Sequence, residues 1–172
     1  MKHSNKQAGF SLLEIAMVAG IIVVLSVLAI VGYQAAKQST DLAKAVTNVN
    51  ALTASIRNSF SSQGDYTDLS NKIVVSSNTL PDNMRVTGDA TSIRSPWSTA
   101  GFVVAPAQLQ TKNDAFTITA NVVPARACQD LVSQVFRNYE SVAVGGTTVT
   151  SVASAQTACT GTGTKTIVFT AR

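Results

Sequence analysis

Apolar side chains are concentrated near the start of the chain, in the 24-residue segment Phe10–Tyr33. Glu14 is the only charged residue in this segment, and the next charge along the chain is Lys37. A helix of this length would be about 36 Å long, which is enough to cross the hydrocarbon core of a bilayer. The pattern therefore predicts a membrane-spanning helix.

The following segment, residues 34–63, has a different pattern with one apolar face. Apolar residues recur every three or four positions, as in a helix that packs on a core along one side. They are Leu42, Val46, Val49, Leu52, Ile56 and Phe60. The opposite face is predicted to be polar and carries Lys37, Asp41, Lys44, Asn48, Asn50 and Arg57. Because neither Gly nor Pro occurs between Tyr33 and Gln63, we predict one continuous helix through both segments.

The rest of the chain predicts an α+β head. Residues 64–96 are polar and predict an irregular connection with a small helix or strand near Ile73-Val74-Val75, closed by a turn at Ser95-Pro96-Trp97. The predicted strands are Gly101–Ala105 and Ala115–Val123 as an antiparallel hairpin, a short strand after Tyr139, a strand ending near Val152, and Thr166–Thr170. A second helix begins at Pro124, where apolar residues again recur with helical period. The Ser-, Thr- and Gly-rich residues 145–164 are predicted as exposed loop and edge strand.

Composition fits an apolar segment joined to an ordinary domain. Hydrophobic residues make up 45% and charged residues 13% of the chain, against roughly 25% charged in an average soluble domain. The formal charge is +4, but the 13 basic residues are scattered and two of them, Lys2 and Lys6, precede the apolar segment. Without those two, 11 basic residues face 9 acidic ones, a net charge of +2. We therefore predict no nucleic-acid partner.

The residues that flank the apolar segment predict its orientation. A secretory signal would have a shorter apolar region of about 7–15 residues and a small-residue cleavage site, and the downstream Gln34-Ala35-Ala36 lacks the small residue two positions before the cut. Lys2, His3 and Lys6 favour a cytoplasmic N-terminus by the positive-inside rule. The head is then predicted to lie outside the inner membrane.

The two cysteines, Cys128 and Cys159, both fall on that extracytoplasmic side. An even number of cysteines in a non-cytosolic compartment indicates one disulfide, and the alternative is two buried free thiols. A bridge would enclose 30 residues, for which the loop-entropy estimate is about 3–4 kcal/mol. No metal site or cofactor is predicted, since His3 is the only histidine and neither cysteine has another within four residues.

Glu14 is the anomaly of the apolar segment. A carboxylate costs about 2.5–3.5 kcal/mol at mid-bilayer and less near the interface. No basic residue lies three or four positions away in the sequence. Either Glu14 is an interfacial carboxylate that reaches water, or its partner comes from another chain. A cut just before Phe10 would supply a positive α-amine, and a neighbouring subunit shifted by about one turn would bring that amine beside Glu14.

The sequence Lys6-Gln7-Ala8-Gly9-Phe10-Ser11-Leu12-Leu13-Glu14, followed by the apolar segment, resembles the leader and N-terminus of type IV pilins. The resemblance implies cleavage after Gly9 by a prepilin peptidase and N-methylation of Phe10. It also implies that Glu14 neutralises the amine of Phe10 in an adjacent subunit during assembly.

The order of elements resembles the type IVb branch of that family. The similarity touches Gly64-Asp65-Tyr66, Ser95-Pro96-Trp97, Phe116-Thr117-Ile118, residues 127–132 and Ala158-Cys159-Thr160-Gly161. Two features depart from the branch: the nine-residue leader is short, and Phe10 is more usual in type IVa. The resemblance implies four parts: a cleaved leader (1–9), a transmembrane and assembly half of the helix (10–33), its amphipathic half (34–63), and a head (64–172) with a disulfide region (128–159).

No catalytic constellation is recognisable. Without the leader no histidine remains, and Asp65 and Asp68 lie in a Gly-Asp-Tyr-Thr-Asp sequence typical of turns. We therefore expect a structural subunit and not an enzyme: the major subunit of a type IVb pilus that serves adhesion, aggregation or conjugative contact. The alternatives are a minor pilin or type II secretion pseudopilin, and a membrane-anchored binding protein that never polymerises.

The family implies an assembly ATPase, an inner-membrane platform and a secretin as partners, with cell-surface filaments as the final location.

Overall fold

The computed structural model describes residues 11–77 and 79–172. Gly9 and Phe10, the predicted cleavage and methylation positions, lie outside the described residues. The chain divides into two compact units, Met1–Ser39 and Thr40–Arg172, and the boundary falls within the first helix.

Helix α1 spans Leu12–Ser59. Its part in the second unit buries one face, including Ala45, Val49, Leu52 and Ile56, which are fully buried. The predicted apolar face is therefore confirmed. The helix ends before Gln63, the predicted end, because the serines that follow Asn58 compete for backbone groups: the Ser61 hydroxyl donates to the Asn58 carbonyl at 2.9 Å.

Asn48 corrects the predicted polar face of α1. It is buried, and its side-chain oxygen accepts a hydrogen bond from the Asn83 amide at 3.2 Å. Asn83 belongs to a 3₁₀ turn, Asp82–Met84, in the connection after α1. The polar residue is buried at no great cost because the connecting segment supplies its partner.

The head is built on one seven-stranded antiparallel sheet of order β1-β2-β3-β4-β7-β5-β6. The strands are Arg85–Val86 (β1), Asp89–Ile93 (β2), Phe102–Ala107 (β3), Ala115–Pro124 (β4), Ser141–Val144 (β5), Thr147–Val149 (β6) and Thr164–Ala171 (β7). The predicted β3–β4 hairpin is present, and the final strand inserts between β4 and β5. β1 and β2 were not predicted, because their residues carry no clear alternation.

Side chains of successive strands align in rows across the sheet. One complete row, directed into the core, joins β3, β4, β7, β5 and β6 through Val104, Ile118, Phe169, Val142 and Val149. All five are buried. The sheet thus has one core face, as expected for an antiparallel sheet covered on one side.

Three further helices complete the head. They are α2 (Asn71–Ser76), α3 (Ala125–Val135) and α4 (Val152–Ala158), and a 3₁₀ turn, Phe136–Asn138, follows α3. α4 corrects the prediction of loop and edge strand for residues 145–164. The Ser151 hydroxyl accepts from the Ser154 backbone N–H at 3.2 Å, and the Ser154 hydroxyl bonds back, so a reciprocal cap starts this short helix.

The predicted disulfide joins Cys128 in α3 to Cys159, the residue that follows α4, with Cα atoms 5.6 Å apart. Both cysteines are buried. The bridge therefore fixes α4 and the start of the last connection to the helix that packs on the sheet.

Candidate assembly site

The first unit presents an apolar helix surface with no core of its own. Every large hydrophobic residue of α1 up to Tyr33 exposes between 52% and 87% of its surface. Among the described residues, α1 is the helix long and apolar enough to cross a membrane, with a mean hydropathy of 2.9 over its most apolar window. Exposed apolar area of this extent marks a surface that another apolar phase covers, either lipid or protein.

The polar groups inside this surface are few. Ser26 carries the one hydroxyl between Leu12 and Gly32, and it donates to the Ile22 carbonyl at 2.7 Å. Its hydrogen is thus used within the helix, as is common for serine in apolar helices. Glu14 is then the single strongly polar side chain on the surface.

Glu14 lies in the first turn of α1 and is exposed. The Ser11 hydroxyl caps this turn by accepting from the Leu13 backbone N–H at 3.2 Å, and the Ile15 N–H bonds the Ser11 carbonyl at 3.2 Å. A carboxylate in the first turn is favoured by the positive end of the helix dipole. Among residues 11–77 and 79–172, no hydrogen bond or ion pair to the Glu14 carboxylate is found.

Ser11 was missed in the sequence as a functional position. The signal was present: Ser11-Leu12-Leu13-Glu14 has the Ser-x-x-Glu spacing of a helix-starting sequence before an apolar run. The cap places Glu14 three residues inside the helix, on a defined first turn. The predicted partner of Glu14, the amine of Phe10, lies outside the described residues.

Two carboxylates of the head, Asp65 and Asp89, stabilise turns. Asp65 accepts from the Thr67 backbone N–H at 3.0 Å, and hydrogen bonding to Thr67 lowers the pKa of Asp65. Asp89 is similar, because hydrogen bonds from Ser92 and Thr91 lower its pKa to about 2. In the described part of the chain, no three His, Cys, Asp or Glu side chains are grouped so that they could hold a metal ion.

Asp114 forms the most connected polar cluster of the head. It accepts from the backbone N–H groups of Leu109, Gln110 and Thr111 at 2.8–3.1 Å. The Arg172 guanidinium pairs with it at 2.6 Å. These hydrogen bonds, the one from Leu109 first, hold the pKa of Asp114 well below its usual range. The cluster closes the β3–β4 hairpin and does not resemble a reactive site.

Comparison with known proteins assigns the fold and the family. Residues 39–172 match the family model described as PilS N terminal. No curated protein sequence matches the chain. The crystal structure of TcpA, a type IV pilin from Vibrio cholerae El Tor biotype, aligns with a TM-score of 0.56 and 18% identity, over 77% of this chain and 99% of that one. This likeness shows a shared fold.

The second solved structure is that of a type IV b pilin from Salmonella typhi. It aligns with a TM-score of 0.59 and 25% identity, over 73% of this chain and 95% of that one. The long first helix, the antiparallel sheet and the disulfide-tied helices described above are thus arranged as in these two proteins.

Proposed function

The chain belongs to the PilS family of type IV pilins, and we propose on that basis that it is the major structural subunit of a type IVb pilus. The observation that carries the proposal is the exposed apolar helix surface of the first unit, with Glu14 as its only carboxylate. Such a surface suits lipid before assembly and identical helices afterwards. The filament then serves adhesion, aggregation or conjugative contact.

The proposed sequence of events begins in the inner membrane. The N-terminus is cytoplasmic and the head is extracytoplasmic, in keeping with Lys2 and Lys6 ahead of the apolar segment. A prepilin peptidase removes Met1–Gly9, and Phe10 becomes the N-methylated first residue. An assembly ATPase, an inner-membrane platform and an outer-membrane secretin then add subunits to a homopolymer that reaches the cell surface.

Glu14 has a specific task in this scheme. A carboxylate without a partner inside a packed apolar filament is strongly unfavourable, and so is an unpaired ammonium. Pairing the Glu14 carboxylate with the Phe10 amine of a neighbouring subunit removes both costs. Since the pair forms at one axial offset of about one helical turn, it also sets the register between subunits.

The chain offers a matched test, because Glu14 and Glu140 are its only two glutamates and both are exposed. Glu14→Gln keeps the shape of the side chain and removes its charge. We expect this variant to reach the membrane and to be cleaved, but to form few or no filaments by electron microscopy. Glu140→Gln, the same change in the head, should assemble as the unmodified protein does. Normal filaments from Glu14→Gln would contradict the role of Glu14.

The class of subunit is tested separately by mass analysis and subunit counting. Cleavage before Phe10 with one added methyl group supports the pilin pathway, whereas an intact Met1–Gly9 leader on the mature protein indicates an anchored protein that does not polymerise. Quantification of this chain in purified filaments distinguishes a major subunit from a minor pilin or a pseudopilin, because only a major subunit accounts for the bulk of the mass.

A further inference from the structure

The far end of the apolar surface carries a pair of residues suited to a lipid headgroup. Tyr33 is the last residue of the apolar segment, and Lys37 follows four positions later on α1. We propose that this pair binds the phosphate region of phospholipid headgroups at the extracytoplasmic face of the membrane and so fixes the depth of the helix. The inference rests on the membrane-held stage of the proposed function.

The length of the apolar helix supports this assignment. Glu14 and Tyr33 are 19 positions apart, which corresponds to about 28 Å along a helix. The hydrocarbon core of a bilayer is about 30 Å thick. When Tyr33 lies at one interface, Glu14 therefore lies at the other, where a carboxylate costs far less than at mid-bilayer.

The chemistry of the two side chains fits an interface. Residues four apart share one face of a helix, so the phenol and the ammonium point in the same direction. Tyr33 exposes 69% of its surface and Lys37 is also exposed. Tyrosine is enriched at membrane interfaces, where its ring contacts acyl chains and its hydroxyl contacts water and headgroups. A lysine near a helix end extends its stem along apolar surface and places its ammonium at the headgroup level.

The charge of Lys37 gives an independent reason to infer that it binds lipid phosphates. By the positive-inside rule, a lysine directly beyond the span on the translocated side opposes the orientation that Lys2 and Lys6 favour. Lys37 takes part in neither of the two ion pairs among the described residues. Lipid phosphates supply the complementary charge at this depth of the membrane, which accounts for a basic residue at this position.

A depth measurement tests the proposal on the full chain in vesicles of phosphatidylethanolamine and phosphatidylglycerol. Trp97→Phe removes the only tryptophan, and Tyr33→Trp places a fluorescent reporter that keeps an interfacial aromatic ring. Lipids brominated near the carbonyl group or near the chain end then quench the reporter according to its depth. We expect stronger quenching by the shallow bromines.

Lys37→Leu is then added to the reporter protein, with Lys72→Leu, an exposed lysine of α2, as the matched control. Loss of the anchor lets the helix sink by up to about one turn, or 5 Å. The Lys37 variant should therefore lose its preference for the shallow quencher and shift its emission to shorter wavelength, and the Lys72 variant should do neither.

Three results would overturn the proposal. Equal or stronger quenching by the deep bromines would show that position 33 is not interfacial. Identical behaviour of the two lysine variants would show that Lys37 does not set the depth. Absence of quenching by either lipid would also contradict the membrane-held stage, whereas the first two results leave that stage and the Glu14 experiment intact.

Discussion

The hydroxyl groups of Tyr139 and Thr53 lie 2.8 Å apart in the buried interior of the head. Both hydroxyls also reach the Val49 carbonyl of α1, Thr53 at 2.9 Å and Tyr139 at 3.5 Å. The Tyr139 ring packs against Phe169 of β7, with centroids 5.1 Å apart. One side chain thus connects the packed face of α1 to the central strands, and its burial raises the pKa of Tyr139.

Removal of the two hydroxyls should have unequal effects. Tyr139→Phe keeps the ring and leaves Thr53 bonded to Val49, so we expect a loss of about 1 kcal/mol in the free energy of unfolding. Thr53→Val leaves the buried Tyr139 hydroxyl with only its longer, 3.5 Å bond to the Val49 carbonyl and should cost about 1–3 kcal/mol. Urea unfolding of the full chain in detergent, followed by near-ultraviolet circular dichroism, measures both. Tyr66→Phe is the control, and a larger loss for it than for Tyr139→Phe would contradict the assignment.

The Asp114 cluster should make the head sensitive to acid. The pKa of Asp114 is lowered in the folded state by the Leu109 N–H and the other donors around it, whereas an unfolded aspartate has a pKa of about 3.9. The stabilisation is complete above that value and is lost as the pH falls, because the unfolded state takes up the proton first. Asp114→Asn should therefore lower the free energy of unfolding at neutral pH. Below about pH 4, the free energy of unfolding of this variant should decrease less steeply with falling pH than that of the unmodified chain.

The control for this experiment is Asp130→Asn, an exposed carboxylate of α3. Unfolding midpoints of both variants and of the unmodified chain are compared between pH 7 and pH 2. If Asp130→Asn reduces the fall of the unfolding midpoint at acid pH as much as Asp114→Asn does, the Arg172–Asp114 pair and the hairpin N–H groups are not responsible for the acid sensitivity.

The disulfide should be a major contribution to the stability of the head. Cys128 and Cys159 are 31 positions apart, and closure of a loop of this size in the unfolded chain stabilises the fold by about 3–4 kcal/mol. Replacing both cysteines by alanine should lower the free energy of unfolding by that amount, measured by urea unfolding. Because the bridge is buried, a reducing agent should act on the folded protein only slowly. A double variant with unchanged stability would contradict this contribution.

The sequence predicted those elements whose pattern is local and repeated. The apolar face of α1, the β3–β4 hairpin and the helical period of α3 all follow from periodicity, because each element buries one side against a single core. α4 was missed, since its composition is that of a loop and the helix depends on the Ser151 cap and the attached disulfide. Asn48 was assigned to the wrong face because its partner, Asn83, is distant in sequence.

The candidate assembly site could also be predicted from a local pattern. Glu14 stands out because it interrupts a continuous apolar run, and residues 6–14 form one uninterrupted motif. The polar cluster around Asp114 could not be anticipated, since it brings together a hairpin and Arg172 from the last position of the sequence. Contacts between distant segments depend on the topology of the sheet, and no local pattern encodes them.

A β-bulge in β4 shows a further feature that the alternating pattern concealed. Ala120 and Val123 are both buried although they are three positions apart, so a regular strand would direct one of them to solvent. The register with β7 shifts between these two residues, and Val122 takes up the extra position with a φ of +59°. A left-handed backbone is unfavourable for a β-branched residue. The left-handed backbone at Val122 is tolerated because the change of register with β7 lets the Val123 side chain pack in the core immediately before α3 begins.

Val122→Asn should therefore stabilise the head by about 0.5–1 kcal/mol, because asparagine adopts the left-handed conformation at a lower cost in free energy than valine does. Val103 provides a matched control: both side chains expose 44% of their surface, but Val103 lies in regular β3 and is not among the described residues with positive φ. Val103→Asn should destabilise, since asparagine is disfavoured in a regular strand. Opposite shifts of the two urea midpoints are expected, and equal losses in both variants would show that Val122 is not strained.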